Sequence, residues 1–220
     1  MKIGILAIQG SVIEHARALR RAGAEVLEVR TCRDLAKVSG LVMPGGESTT
    51  IGKLLRIEGL DKAIISRVRE GMPAYGTCAG AILLAKKITG IQKAPNLGLM
   101  DIEVERNAYG RQIDSFETEV DVPVLGQKPV PAVFIRAPKI VSTGAEVKIL
   151  AKYDGKIVMC QEKNMLVSTF HPEMTDDLRV HKYFIRLCKG KILRKIYVTF
   201  LNLLAKILRA KGYAKHQKEF

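Results

Sequence analysis

The stretch Gly-Thr-Cys-Ala-Gly, residues 76–80, decides the fold of this 220-residue chain. Residues 72–75 before it have the pattern of a short buried strand, whereas residues 81–87 after it have the composition and apolar spacing of a helix. A side chain on such a corner is lifted out of the sheet, and flanking glycines let neighbouring backbone approach closely. The pattern predicts that Cys78 is a nucleophile at a helix N-terminus, where partial positive charge favours the thiolate. The alternative is a small core cysteine between two turn glycines.

Strands and helices alternate on the N-terminal side of this corner. Apolar runs predict strands at residues 2–8, 25–30 and 41–43, and helical patterns occupy residues 14–22, 50–57 and 60–70. This alternation predicts an α/β fold, a doubly wound and mostly parallel sheet of the flavodoxin type. Ligands bind such sheets outside the carboxyl ends of the strands.

The middle of the chain has a different pattern. Short segments rich in Val and Ile, separated by Gly and Pro turns, predict hairpin-like strands added to the parallel sheet. They cover residues 101–105, 115–120, 133–135, 147–153, 156–160 and 166–170. Residues 175–188 are predicted to form the closing helix of the core, with Asp176 and Asp177 in its first turn.

Composition restricts the class of protein. With 47% hydrophobic and 26% charged residues the chain is typical of a globular protein, and we expect it to be cytoplasmic because no signal peptide or membrane span is evident. Cys32, Cys78, Cys160 and Cys188 form no Cys-x-x-Cys pair, which argues against structural zinc and a disulfide framework. We expect reduced thiols, no metal and no cofactor.

A second signal lies at Phe170-His171-Pro172-Glu173. Proline biases the preceding residue towards extended backbone, in which residues two apart face the same side. His171 and Glu173 can therefore present an imidazole and a carboxylate together, as the base and the orienting group of a Cys-His-Glu triad. The alternative is a turn histidine beside a helix carboxylate. Two further histidines, His15 and His181, fall on predicted helices, where we expect surface or core packing.

The loop Pro44-Gly45-Gly46-Glu47-Ser48 is a third signal, because it follows a buried strand and precedes a helix. Its backbone amides, Gly46 in particular, can supply one donor of an oxyanion hole, with the amide of Ala79 as the other. The alternative is a simple capped turn with Ser48 or Thr49 as the N-cap.

With these motifs in this order, residues 2–188 resemble the class I (triad) glutamine amidotransferases, and within them the glutaminase subunits of pyridoxal 5'-phosphate synthase. The strand-to-helix turn at residues 76–80, called the elbow from here on, and the His-x-Glu motif at residues 171–173 are common to many amidotransferases. The stretches around Arg106 and Arg136 single out the vitamin B6 branch. Further matching stretches are residues 6–10 with 14–15, 44–52, 104–107 with 110–112, 134–138 and 168–177.

The resemblance implies roles for individual residues. Cys78 is the nucleophile, His171 the base and acid, and Glu173 the orienting group. Positions that hold glutamine in the family correspond to Gly46, Glu47, Ser48, Arg106, Ile135 and Arg136. A guanidinium at Arg106 suits an α-carboxylate, whereas Arg136 is equally suited to a partner-facing or structural ion pair.

The resemblance also implies a partner. In the family, ammonia from L-glutamine passes to a synthase subunit that forms a dodecameric core, and Gln9 and residues 107–112 correspond to positions near that interface. The alternatives are an amidotransferase subunit for a different ammonia acceptor, a cysteine hydrolase, or a catalytically silent binding subunit. All three triad positions hold the expected residues, which argues against a catalytically silent subunit.

The predicted domains are a glutamine amidotransferase domain, residues 1–189, and a C-terminal extension, residues 190–220, beyond the usual end of the family. From Lys189 onwards the chain has nine Lys and Arg residues against one acidic residue, a large share of its net charge of +14. Apolar residues at helical spacing predict a basic amphipathic helix. We expect this helix either to pack on its own domain or on a neighbouring copy, or to lie at an anionic membrane surface. We expect no nucleic-acid binding, because the extension has few aromatic residues for stacking.

Overall fold

The computed structural model describes residues 1–90, 95–106 and 115–190, in which strands and helices alternate up to the elbow. The strands are β1 (Lys2–Leu6), β2 (Glu25–Val29), β3 (Gly40–Met43), β4 (Ala74–Thr77), β5 (Ala85–Thr89), β6 (Met100–Glu105), β7 (Ser115–Val120), β8 (Val130–Ile135), β9 (Lys139–Thr143), β10 (Lys148–Tyr153), β11 (Lys156–Glu162) and β12 (Met165–Ser168). The helices are α1 (Val12–Arg21), α2 (Cys32–Ala36), α3 (Ser48–Ile57), α4 (Leu60–Arg69), α5 (Ala79–Leu84) and α6, described over residues 179–190.

A ten-stranded sheet forms the centre of the protein. Its main path runs β2-β1-β3-β4-β12-β11-β9-β6-β5, β10 pairs with β11, and β7 and β8 form a separate hairpin. The first five strands of that path are parallel, whereas β11 is antiparallel to β12. The predicted α/β fold with a doubly wound sheet and additional hairpin strands is therefore confirmed.

The central parallel strands β1, β3, β4 and β12 are buried on both faces, which explains why they are mostly apolar rather than alternating. The edge strand β2 keeps Glu25 and Glu28 exposed. Leu41 and Met43 pack into the cluster that contains α3, α4 and α5, whereas Val42 between them packs into the cluster that contains α1 and α6. Successive side chains on a strand point to opposite faces. Each parallel strand thus joins two helical layers, and its carboxyl end is left open to hold the site.

Some predicted elements differ from the structure. The helix predicted at residues 81–87 ends at Leu84, because Lys87 and Ile88 pair with β6 in a parallel strand instead. Strand pairing overrides the helical propensity of the Ala and Lys residues here. Helix α2 and strand β9 were not predicted, and the closing helix begins at residue 179 rather than 175, since Pro172–Met174 form a turn of 3-10 helix.

The four cysteines are free thiols, as predicted, and of them Cys32 alone is exposed. None of the helices within residues 1–90, 95–106 and 115–190 combines the length and the apolarity that crossing a membrane requires. The predictions for the extension at 190–220 and for the stretch at 107–112 concern residues that, apart from Gly190, lie outside the described part of the chain.

Candidate active site

The carboxyl ends of the parallel strands surround a cavity of about 370 Å³. Strand β4 is paired in register with β12, so that Thr77 lies beside Ser168. This pairing brings Cys78 and His171, which are far apart in sequence, to the wall of one cavity. The lining residues are Gln9, Gly10, Ser11, Gly45, Gly46, Glu47, Ser48, Cys78, Ile82, Arg106, Ile135, Arg136, Pro138 and His171.

Cys78 lies on a strained turn between β4 and α5. Its φ is 47° and its ψ is −102°, a conformation that is uncommon for a residue with a side chain. A Cβ on Gly76 would lie 2.4 Å from the backbone carbon of Gly80, and one on Gly80 would lie 2.1 Å from the carbonyl oxygen of Met43. Both glycines are therefore needed for close backbone approach, as the elbow pattern predicted, and the turn aims the sulfur into the cavity.

His171 and Glu173 lie together at the end of β12. His171 Nδ1 is 2.8 Å from Glu173 Oε1, and the hydroxyl of Ser11 donates to the same oxygen at 2.7 Å. The backbone amide of His171 donates to the carbonyl of Val133 at 2.8 Å, which ties the loop to β8. The predicted pairing of imidazole and carboxylate is present. Glu173 lies behind the imidazole, at 6% exposure, and is not part of the cavity wall.

The ionisation of this pair follows from its partners. Burial lowers the pKa of His171, but hydrogen bonds and charge interactions with Cys78 and Glu173 raise it to about 10. Burial raises the pKa of Glu173, yet the His15 and His171 rings lower it well below its ordinary value. At neutral pH the arrangement favours a carboxylate at Glu173 and an imidazolium at His171, beside the sulfur of Cys78. Such a set combines a nucleophile with a proton donor.

The loop at residues 44–48 is held by the side chain of Glu47. Its carboxylate accepts hydrogen bonds from the amides of Thr49 (3.0 Å) and Thr50 (2.7 Å) and is the N-cap of α3. The prediction of Ser48 or Thr49 as the cap is therefore wrong, because the longer Glu47 side chain reaches the same amides from one residue earlier. Although burial raises the pKa of Glu47, these hydrogen bonds lower it to about 2.

Two arginines line the same cavity as Cys78. Arg106 follows β6, and its Nη2 donates to Glu47 Oε1 at 3.2 Å. Arg136 follows β8 in a left-handed conformation, with φ of 43°, beside Ile135. Cys78 Sγ lies 4.0 Å from the carbonyl oxygen of Ile135. All six positions predicted for glutamine binding thus line one cavity together with Cys78 and His171.

Sequence reasoning missed part of the site. Gly10, Ser11, Ile82 and Pro138 also line the cavity, and Ser11 holds Glu173. Gln9, which the resemblance placed near a partner interface, lines the cavity as well, and its Oε1 accepts from the amide of Glu47 at 3.2 Å. A serine or glutamine in a loop carries no signal of its own, so only the folded geometry identifies these residues.

The chain matches one known protein family over most of its length. Residues 5–190 match the profile described as the SNO glutamine amidotransferase family. The chain is 54% identical over 191 residues to "Pyridoxal 5'-phosphate synthase subunit PdxT" of Carboxydothermus hydrogenoformans, which covers 86% of this chain and 100% of that protein. It is also 54% identical over 195 residues to the protein of the same name from Streptococcus pneumoniae, covering 87% of this chain and 100% of that one.

Solved structures agree with the family comparison. One described as a crystal structure of glutamine amidotransferase superposes with a TM-score of 0.81 at 46% identity, covering 85% of this chain and 98% of its own. The structure of a putative GMP synthase protein from Thermoplasma acidophilum superposes with a TM-score of 0.63 at 18% identity, covering 90% and 97% respectively. At that identity the second match concerns the fold alone.

Proposed function

Since the chain belongs to the SNO glutamine amidotransferase family, we propose that Cys78, His171 and Glu173 are the triad with which it hydrolyses glutamine. The protein is a glutaminase, the subunit of a pyridoxal 5'-phosphate synthase that supplies ammonia for vitamin B6 biosynthesis. The observation that carries the triad is the 2.8 Å bond between His171 Nδ1 and Glu173 Oε1, behind an imidazole that shares one cavity with Cys78.

In the first half-reaction the thiolate of Cys78 attacks the side-chain carboxamide carbon of glutamine and forms a tetrahedral oxyanion. The amides of Gly46 and Ala79 are the proposed oxyanion donors. The imidazolium of His171 then transfers its proton to the departing nitrogen, so that the C–N bond breaks and ammonia leaves a thioester on Cys78. The raised pKa of His171, about 10, supports this role because the proton is present at neutral pH.

In the second half-reaction His171, now neutral, accepts a proton from water. The resulting hydroxide attacks the thioester carbon, the C–S bond breaks, and glutamate leaves with Cys78 restored as the thiolate. Glu173 stabilises the imidazolium in both steps and keeps Nδ1 protonated, because an ionised carboxylate only accepts hydrogen bonds.

The remaining cavity residues are proposed to hold the substrate. The Arg106 guanidinium is only 12% exposed and suits the α-carboxylate of glutamine. Because the carboxylate of Glu47 is already engaged by the amides of α3 and by Arg106, we propose that Glu47 acts by positioning Arg106 and the loop. Ser48, Ile135 and Arg136 complete the wall around the amino-acid group.

The ammonia requires an acceptor close to the site. Ammonia released into water at neutral pH is mostly protonated and is then no longer a nucleophile. The relatives named above are subunits of pyridoxal 5'-phosphate synthase, and the partner here is its synthase subunit, which consumes the ammonia. That this partner forms a dodecameric core, and that residues 1–189 and 190–220 act as separate units, stay predictions from the sequence.

The test mixes the full chain with the synthase subunit of the same complex and follows glutamate and pyridoxal 5'-phosphate formation from glutamine. Wild-type protein is expected to yield both products, whereas Cys78→Ala yields neither from glutamine. With ammonium salt in place of glutamine, the Cys78→Ala mixture is expected to form pyridoxal 5'-phosphate at the wild-type rate. Substantial glutamate release by Cys78→Ala would overturn the assignment of the nucleophile.

A further inference from the structure

Behind the imidazole of His171, away from the cavity, lies a group of buried polar side chains that the proposed mechanism does not use. His15, Thr77 and His181 are each 0% exposed. They come from α1, from the end of β4 directly before Cys78, and from α6. Burial of three polar groups next to the triad is costly unless they are hydrogen-bonded to one another.

The contacts connect these side chains to Glu173. His15 Nε2 is 3.0 Å from Thr77 Oγ1 and 3.3 Å from Glu173 Oε1. On the other side of the ring, His15 Nδ1 is 3.1 Å from His181 Nε2. His15 thus lies between a second histidine and the carboxylate that orients the catalytic imidazole.

The proton positions follow from what each atom can do. An ionised carboxylate has no proton to donate, so the His15 nitrogen that faces Glu173 must carry the hydrogen. In the tautomer of His15 that carries its hydrogen on Nε2, Nδ1 is an acceptor, and His181 Nε2 must donate to it. His181 Nδ1 is left without a proton, and it has no hydrogen-bond partner within the described residues. Burial also lowers the pKa of His181 to about 3, so its ring is neutral.

Glu173 Oε1 consequently accepts hydrogen bonds from Ser11 Oγ and His171 Nδ1, and His15 Nε2–H lies 3.3 Å from the same oxygen. Glu173 Oε2 has no partner within the described residues. All the hydrogen bonds that fix this carboxylate thus meet at one oxygen, the one that orients His171. Loss of one of these donors therefore affects the position and the ionisation of the group behind the catalytic imidazole.

We propose that His15 is a positioning residue for catalysis, which holds Glu173 through Nε2–H while His181 fixes the tautomer of His15. The proposal rests on the proposed triad, since His15 acts on the reaction only through Glu173. A substitution of His15 changes the reaction rate through the orientation and charge of Glu173. It leaves the residues that line the proposed glutamine cavity unchanged.

Several charged or titratable groups face Glu173, and the pH dependence must be assigned among them. They are His15 on α1, Tyr75 on β4, His171 in its own loop and His181 on α6. Glu14, Arg17 and Arg21 on α1 and Asp176 line a small surface hollow together with Glu173. His15 is one of the groups whose removal raises the pKa of Glu173, because the interaction of its ring with the carboxylate lowers that pKa.

The experiment measures kcat and KM for glutamine against pH, with the full chain bound to its synthase subunit. His15→Met removes the donor and keeps the volume, whereas His15→Gln can place an amide N–H where Nε2–H lies. His15→Met is expected to lower kcat by about tenfold to hundredfold, with KM changed by less than about twofold. It should also move the acid limb of the kcat/KM profile to higher pH, and His15→Gln should restore most of the rate.

A second variant covers the case in which His15→Met does not fold. His181→Phe leaves Nε2 of His15 in place but no longer fixes its tautomer, so it is expected to lower kcat in the same direction by a smaller factor. Unchanged kcat and pH profiles in the folded variants would overturn the proposal. So would equal rate losses for Met and Gln at position 15. Activity in Cys78→Ala, measured alongside, would instead overturn the proposed function.

Discussion

Gly45 lies directly against the imidazole of His171: a Cβ on Gly45 would be 2.4 Å from Cε1 of that ring. From the sequence, this glycine was predicted only to be part of an amide-rich loop. Its bare α-carbon lets the loop after β3 and the loop after β12 close on one another. The position of the proposed base thus depends on the absence of a side chain in the loop that follows a different strand.

The Gly45→Ala variant is therefore expected to displace the His171 ring and to lower kcat by about a hundredfold, the scale of a 1 Å misplacement of a catalytic group. The free energy of unfolding should fall by about 1–3 kcal/mol, the usual effect of overpacking. Steady-state kinetics with the synthase subunit and urea unfolding measure the two effects. Wild-type kcat in a folded Gly45→Ala protein would show that the ring position is not critical.

Gly80→Ala is expected to lower the stability of the protein more than it lowers the activity of the molecules that remain folded. Its Cβ would lie 2.1 Å from the carbonyl oxygen of Met43, so α5 and β3 must move apart. We expect the free energy of unfolding to fall by about 3 kcal/mol, at the upper end for overpacking. Gly190→Ala is the matched control, because none of the described residues lies within 4 Å of a Cβ there. Equal urea midpoints for both variants would contradict the close approach.

The pKa of His171 provides a direct test of its partners. An NMR titration of its ring in the wild-type protein is expected to have a midpoint near 10 and, in Cys78→Ala, a lower one, because the thiol is one cause of the increase. A raised folded-state pKa stabilises the protein fully below the unfolded value, about 6.5. That contribution is lost as pH rises through the folded value. The free energy of unfolding should thus decline as the pH rises from about 6.5 to about 10. The decline should be smaller in Cys78→Ala.

His181 acts in the opposite sense, because burial lowers its pKa to about 3. Between about pH 6.5 and 3 the unfolded chain binds a proton at this residue that the native protein does not, so stability falls as pH falls. From pH 7.5 to pH 5 we expect a loss of about 2 kcal/mol from this residue. Urea unfolding of wild-type and His181→Phe at the two pH values measures it. Equal pH dependence in both proteins would exclude this assignment.

Arg106→Lys is expected to raise KM for glutamine about tenfold, with kcat less affected. A lysine keeps the positive charge but loses the planar fork that pairs with a carboxylate through two hydrogen bonds. Arg30→Lys is the matched control, because Arg30 pairs with Glu28 at the surface and is not among the cavity residues. Should the KM of Arg106→Lys match that of the control, the α-carboxylate must bind elsewhere in the cavity.

Much of the site was predictable because its signals are local. A glycine on each side of Cys78 and a proline between His171 and Glu173 restrict the backbone wherever they occur, and the structure has both the turn at Cys78 and the paired side chains. The pair is made by a turn of 3-10 helix, Pro172–Met174, and not by the extended backbone that was predicted. The alternation of apolar strands with helices likewise indicated the doubly wound sheet, since a strand buried on both faces is mostly apolar along its whole length.

Other features could not be predicted from local pattern. Lys86 and Lys87 follow a helical run, but the edge of β6 recruits residues 85–89 as a strand. Glu47 caps α3 in place of Ser48 or Thr49 because its carboxylate reaches the same amides. His15 has the appearance of an ordinary helix histidine, and its partners Thr77, Glu173 and His181 lie 62 or more positions along the chain.

The sequence by itself determined the layered sheet and the residues proposed to carry the chemistry, which are Cys78 in its elbow and the His171–Glu173 pair. It could do so because backbone restriction and side-chain type are local properties. Only the tertiary structure decided how these residues are held. The pairing of β4 with β12 sets Cys78 beside His171, and the packing of α1 and α6 places His15 behind Glu173. These contacts join segments remote in the chain, and hydrogen bonds inside a buried core depend on distances that only folding establishes.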